Sequence, residues 1–184
     1  MKIEEKSAQN YIALLRGINV GGHRKIAMAE LRSLLSEAGF TKVKTYIQTG
    51  NVGFQAKAQD KLVLKARLEK LIRKGFGLDV PVVVLTQQEL KVIFDENPYK
   101  AEDQKQNYFV LLSAVPREED VLEASKKTYS HDVYSIHGQC IYLYCPQGYG
   151  QTKFNLSYFE KKLHVNATGR NYNTIVKLLS LSDI

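Results

Sequence analysis

The sequence predicts an α+β fold made of two ferredoxin-like (split βαβ) halves with extra helices. Three observations lead there. Strand-like apolar runs and helix-like 3–4 spacings follow one another in the order β-α-β-β-α-β. The same order begins again after residue 106. Landmark residues also recur: Tyr11, Leu14 and Leu15 are spaced like Tyr108, Leu111 and Leu112, and Tyr46, Gly50 and Phe54 like Tyr134, Gly138 and Tyr142. The recurrence fits an internal duplication, and it equally fits the general likeness of any strand and hairpin. The expected organisation is a flexible leader at 1–10, a first half at 11–97, a linker at 98–106 and a second half at 107–184.

In the first half, Tyr11 to Arg16 reads as a strand. Met28, Leu31, Leu34, Leu35 and Ala38 share one helical face, closed by Gly39 as a left-handed stop. Val43–Gln48 and Val52–Phe54 read as strands joined at Thr49-Gly50-Asn51, where a Gly-X pair suits a two-residue type II′ turn. Leu64, Leu68, Leu71 and Ile72 define the next helix, with Asp60 as N-cap and Gly75 as its expected end. Val80–Leu85 is an apolar strand. Thr86 and Glu89 form an S/T-x-x-E capping box for a helix that must end by Asn97, before Pro98.

In the second half, Tyr108–Ser113 reads as a strand, and Pro116 at the first helical position opens a helix rich in early acids. Val133–Ile136 and Cys140–Tyr144 form a hairpin around Gly138. Phe154–Leu163 is helical and Val165–Thr168 a short strand. Asn171 caps a last helix carrying Ile175, Leu178 and Leu179.

Composition bounds the function. With 44% hydrophobic and 24% charged residues, the chain has the make-up of an ordinary globular protein. Its longest strongly apolar run, Val80 to Leu85, is too short to span a bilayer, so no membrane partner is expected. The first ten residues are charged and polar without a signal-like apolar core, and Cys140 and Cys145 have neither redox nor metal-ligand spacing. A cytoplasmic address follows. Residues 1–100 hold 17 Lys/Arg and 10 Asp/Glu, while residues 101–184 hold 9 of each. The whole net charge of +7 therefore lies in the first half, which can attract anions or nucleic acid.

The most informative segment is Tyr11 to Lys25, where an apolar strand breaks into a loop with three glycines and several basic side chains. In a split βαβ unit the end of strand one shares a sheet edge with the turn between strands two and three. That edge should gather Arg16, Asn19, Gly21, Gly22, His23 and Arg24 with Gln48, Thr49 and Asn51. Backbone N–H groups, arginines and amides together suit an anion cradle. The glycines serve equally well as plain turn formers. Arg170, in a second polar turn after Ala167, is a further candidate if the halves bring it to this edge. Sharper chemistry is missing. Gly17-x-x-x-x-Gly22 lacks the Lys-Ser/Thr of a P-loop, and the histidines lack zinc spacing. There is no G-x-S-x-G elbow. No metal or cofactor is expected, and whether any reaction is catalysed stays open.

These residues resemble a known family. LLRGINVGG at 14–22, MAELR at 28–32, TYIQTGN at 45–51, EKKL at 160–163 and AT-x-RN-x-x-T at 167–174 are similar to an uncharacterised bacterial family, domain of unknown function 1697. The resemblance spans about Tyr11 to Ser180. Thr49 stands for a usual Ser and Tyr172 for a usual Trp. It implies an α+β fold of ferredoxin-like parts and supplies no reaction or substrate.

The leading expectation is a cytoplasmic protein that binds a small anionic or phosphorylated ligand at loop 16–25 and turn 48–51. Alternatives are an RNA- or DNA-associating module using the basic first half, an enzyme with His23 as acid or base, and a protein-interaction adaptor. RNA stacking on the strand residues Val52-Gly53-Phe54 or on Tyr142 and Tyr144 is the form that ferredoxin-like sheets suggest.

Overall fold

The computed structural model describes residues 7–181. Eight strands and six α-helices succeed one another there: β1 (Ala8–Leu15), α1 (Met28–Glu37), β2 (Thr41–Tyr46), β3 (Asn51–Lys57), α2 (Lys61–Phe76), β4 (Val82–Thr86), α3 (Gln87–Asp95), β5 (Asn107–Leu112), α4 (Glu118–Ala124), β6 (Val133–His137), β7 (Cys140–Tyr144), α5 (Leu156–Leu163), β8 (Ala167–Asn171) and α6 (Tyr172–Leu181). They make two antiparallel four-stranded sheets, ordered β2-β3-β1-β4 and β6-β7-β5-β8. Each is the ferredoxin-like arrangement expected from the element order. The described residues divide into two compact units, 7–90 with 177–181, and 91–176.

In the first unit β1 lies between β3 and β4, and its Tyr11–Leu15 stretch is almost wholly buried. Burial on both faces explains why this strand reads as a continuous apolar run rather than as an alternation. Tyr11, Ala13 and Leu15, with Val52, Phe54, Val82 and Val84, face Leu31 and Leu35 of α1 and Leu64, Leu68 and Ile72 of α2. Asp60 caps α2 by accepting from the Leu62 N–H at 2.6 Å. The Thr86–Glu89 capping box forms in full. The Thr86 N–H donates to Glu89 Oε2 at 2.8 Å, and the Glu89 N–H donates to Thr86 Oγ1 at 3.1 Å. Burial works to raise the Glu89 carboxyl, but its hydrogen bonds with Lys61 and Thr86 outweigh that and hold it below its ordinary value.

Several local expectations are corrected. β1 starts at Ala8, so Ala8–Asn10 of the expected leader pair with Gln55–Lys57, and residues 1–6 lie outside the described residues. The β2–β3 connection is not a two-residue turn. Tyr46 pairs with Asn51, leaving a four-residue loop with positive φ at Ile47 and Gly50. Gly75 does not end α2, which runs on to Phe76 and stops at left-handed Gly77. A Cβ on Gly75 would come within 2.8 Å of Leu34, so this glycine lets α2 cross close to α1. Pro116 precedes the N-cap residue Arg117 instead of taking the first helical position.

The second unit repeats the plan. Val110, Leu112, Ile141 and Ala167 pack against Ala124 of α4 and Phe159 and Leu163 of α5. Asn171 caps α6 by accepting from the Thr174 N–H at 2.9 Å. The expected linker, 98–106, falls inside this unit, where Asn97 Nδ2 donates to Asn107 Oδ1 at 3.1 Å and Asn107 Nδ2 to the Asp103 carbonyl at 2.9 Å. The register also refines the recurrence. The Leu15 N–H donates to the Gly50 carbonyl and the Leu112 N–H to that of Gln139, so Gly50 corresponds to Gln139 and not to Gly138. A slip of one residue exchanges the sheet faces. Phe54 accordingly lies in the helix-covered core, whereas Tyr142 packs edge-on to Phe109 and donates to the Ile93 carbonyl of α3.

Gly50 and Gly22 share a φ of +78° but differ in surroundings. A Cβ on Gly50 would lie 2.6 Å from the Leu15 Cβ, while one on Gly22 meets nothing within 4 Å. Gly50→Ala should therefore cost roughly 2–4 kcal/mol, left-handed strain plus overpacking, and Gly22→Ala about 1 kcal/mol. Urea unfolding of the two variants gives the comparison, and equal losses would show that Leu15 simply moves aside.

Candidate functional site

Loop 16–25 and the β2–β3 turn do converge at one end of the first-unit sheet, and Asn19 is the link. Its Nδ2 donates to the Gln48 carbonyl at 2.7 Å and to the Ile26 carbonyl at 2.9 Å, while its Oδ1 accepts from the Ile26 N–H at 2.9 Å. It holds a left-handed backbone, φ +54°, a conformation that asparagine tolerates better than most residues. The loop itself is a small hairpin. The Asn19 N–H donates to the Arg24 carbonyl and the His23 N–H to the Val20 carbonyl. Gly21 and Gly22 fill its tip, both at positive φ as a type I′ turn requires. The chain thus leaves β1, turns back at the glycines and returns to α1 through a backbone fixed by its own hydrogen bonds.

The side chains divide by task. Asn51 is wholly buried, and its Nδ2 donates to the Tyr46 carbonyl and to Thr49 Oγ1. Arg24 donates to the Asp79 carbonyl, and Arg73 Nε stands 3.3 Å from Asp79 Oδ1. The Arg16 N–H donates to the Pro81 carbonyl. The strand start after α2 is therefore the third component of this edge, one that sequence reasoning did not place there. A signal existed in the topology, because β4 runs antiparallel to β1 and must begin where β1 ends. His23, Arg24, Lys25, Gln48 and Thr49 are exposed, and Arg16 is half-buried.

Arg170 belongs to the other unit. It sits on β8 opposite Phe109 and is 9% exposed, with Nη1 donating to Thr168 Oγ1 at 2.7 Å and to the Gly169 carbonyl at 2.8 Å. Burial lowers its guanidinium to about 10, which leaves it charged at neutral pH.

The basic helix face and the sheet aromatics are largely committed to structure. Lys61 pairs with Glu89, Lys65 stands 3.9 Å from Glu69, and Arg67 donates to the Ala38 carbonyl while lying 4.5 Å over the Phe40 ring. Tyr11 and Phe54 stack on each other inside the core, and Tyr142 is buried. None of these rings offers a face for a base. Among the described residues no group of three or more His, Cys, Asp or Glu could hold a metal ion, and no helix is long and apolar enough to cross a membrane. Both cysteines are buried and free; burial drives the Cys140 thiol well above its ordinary value and that of Cys145 up to about 11.

Fold and site together define an α+β protein of two ferredoxin-like units, the first of which presents a basic loop edge. The chain belongs to the family described as protein of unknown function (DUF1697), whose model matches residues 8–142. Among solved structures it is similar to that of the conserved bacterial protein SP0830 from Streptococcus pneumoniae, with 23% identity and a TM-score of 0.79 over 96% of this chain and 100% of that one. No curated protein matches.

Asn19→Ala removes both donors and the acceptor of the link. It should cost about 1–3 kcal/mol, since the partly buried backbone groups of Ile26 lose partners, whereas the exposed His23→Ala should stay within about 0.5 kcal/mol. Chemical denaturation of both tests this, and a neutral Asn19→Ala would mean that the loop does not need the tie. The two thiols should react with a disulfide reagent at neutral pH only as fast as the protein unfolds, because the attacking thiolate is scarce and covered. Rapid labelling of the native protein would contradict that.

Proposed function

We propose that this protein is a binding protein for an anionic, phosphorylated ligand, held where loop 16–25 meets turn 48–51. A small phosphorylated molecule is the simplest such ligand. One observation supports the reading above others: the Asn19 link fixes a glycine hairpin and a polar turn at one edge, so that the backbone carrying Arg16, His23, Arg24 and Lys25 is set before any ligand arrives. Rigid placement of donors lowers the ordering cost of binding. Exposed Gly21 and Gly22 let an anion approach the backbone closely, and the cations supply charge. Gln48 and Thr49 add amide and hydroxyl groups beside them. A reducing, cytoplasmic setting suits two free cysteines five residues apart.

Thermal unfolding against phosphate, polyphosphate, nucleotides, sugar phosphates and a short nucleic acid tests the proposal, with Arg16→Ala alongside. At 100 times its dissociation constant a ligand adds about 2.7 kcal/mol, which for a chain of this size raises the Tm by roughly 5–10 °C. The expected result is such a shift, lost in Arg16→Ala while the ligand-free Tm holds. A flat panel would overturn the proposal and favour a protein-interaction role for the same edge.

A further inference from the structure

We infer that the ligand of this edge is double-stranded nucleic acid, engaged through its phosphate backbone with the hairpin tip directed into a groove. The inference rests on the anion-binding reading above and names the class of anion.

Shape argues first. Sites for small molecules are concave and cover most of their ligand. Here Val20, Gly21, Gly22, His23, Arg24 and Lys25 are exposed in succession, Val20 at 63%, which describes a projecting finger. A turn closed by the single Val20–His23 bridge is no wider than the two-stranded ribbon that the major groove of a duplex admits. On so open a surface a polymer binds more tightly than a single phosphate group, because it meets several cations at once and releases counterions at each.

Charge argues second. The Arg24–Asp79–Arg73 contacts make the basic surface continuous from the finger to the end of α2. Residues 16–27 and 73–81 carry Arg16, Arg24, Lys25, Arg73 and Lys74 against one carboxylate, Asp79. Lys25 and Lys74 have no ion pair among the described residues. The Arg73–Asp79 pair is more than 70% exposed on both sides, so a phosphate can displace it at little cost.

The choice of duplex over single strand comes from the aromatics. Single-strand sites gain affinity by stacking bases on exposed rings. Of the rings on the first sheet, Tyr11 and Phe54 are enclosed in its core, and Tyr46 at the end of β2 is partly buried. Backbone contact and groove shape are what the surface offers instead.

The test is fluorescence anisotropy of the whole protein with a labelled 20-base-pair duplex and the matching single strand, in about 50 to 200 mM salt, with Lys25→Glu/Arg73→Glu and, as a control in the other unit, Lys100→Glu. The duplex should bind more tightly than the single strand, with log K falling linearly with log salt. Lys25→Glu/Arg73→Glu should weaken binding at least tenfold and reduce the salt slope by about 2, while Lys100→Glu changes neither. Lys25→Gln/Arg73→Gln replaces the reversal should the latter fail to fold. Absence of duplex binding, preference for the single strand, equal loss in Lys100→Glu, or full competition by poly-glutamate at matched charge would each overturn the inference. A phosphate-dependent Tm shift persisting alongside any of these would leave the anion-binding reading standing, and its absence would remove both.

Discussion

The first unit depends on how closely its sheet end can be packed, and Asn19 and Gly50 set that limit together. Asn19 turns its whole amide onto backbone groups of Ile26 and Gln48. Gly50 lets the adjoining turn lie against Leu15 and Ile18, where a Cβ would collide. The Leu15 N–H then donates to the Gly50 carbonyl at 2.8 Å, and the central strand ends in register with its neighbour. A larger residue at 50, or an apolar one at 19, would separate the loop from the turn and disperse the basic groups between them.

This arrangement changes what the polar residues of the opening motif are for. An asparagine, an arginine and three glycines beside a strand end suggest a cradle. The structure shows that part of the set builds the edge: Asn19 ties it, Asn51 is buried beneath it, and Arg24 is anchored to the Asp79 carbonyl. The groups that face solvent are His23, Lys25, Gln48 and Thr49, with the flanking Arg73 and Lys74. Positioning and contact are thus divided among neighbours in sequence, a common consequence of asking a short loop to be rigid and exposed at once.

The two units share strand order but not detail. Their ladders align Leu15 with Leu112 and Gly50 with Gln139. The apparent match of Phe54 with Tyr142 is one residue out, so the two rings face opposite sides of their sheets. A repeat of tyrosine–glycine–aromatic spacing is compatible with either register, because spacing along one strand carries no information about its partner.

Strand and helix identities, the Thr86–Glu89 box and the Asp60 and Asn171 caps were all legible in the sequence, since each is set by residues within one turn of each other. So was the meeting of loop 16–25 with turn 48–51, which follows from β-α-β-β topology alone. The rest needed tertiary contact. Gly75 reads as a helix stop until Leu34 of another helix shows why it lies inside one. The four-residue β2–β3 loop came from strand pairing, and the part played by Asp79 from a carbonyl 55 residues away from Arg24 in sequence. Local propensity acts over a few residues and can be read along the chain. Close approach between distant segments depends on how whole elements pack, and only the folded structure decides it.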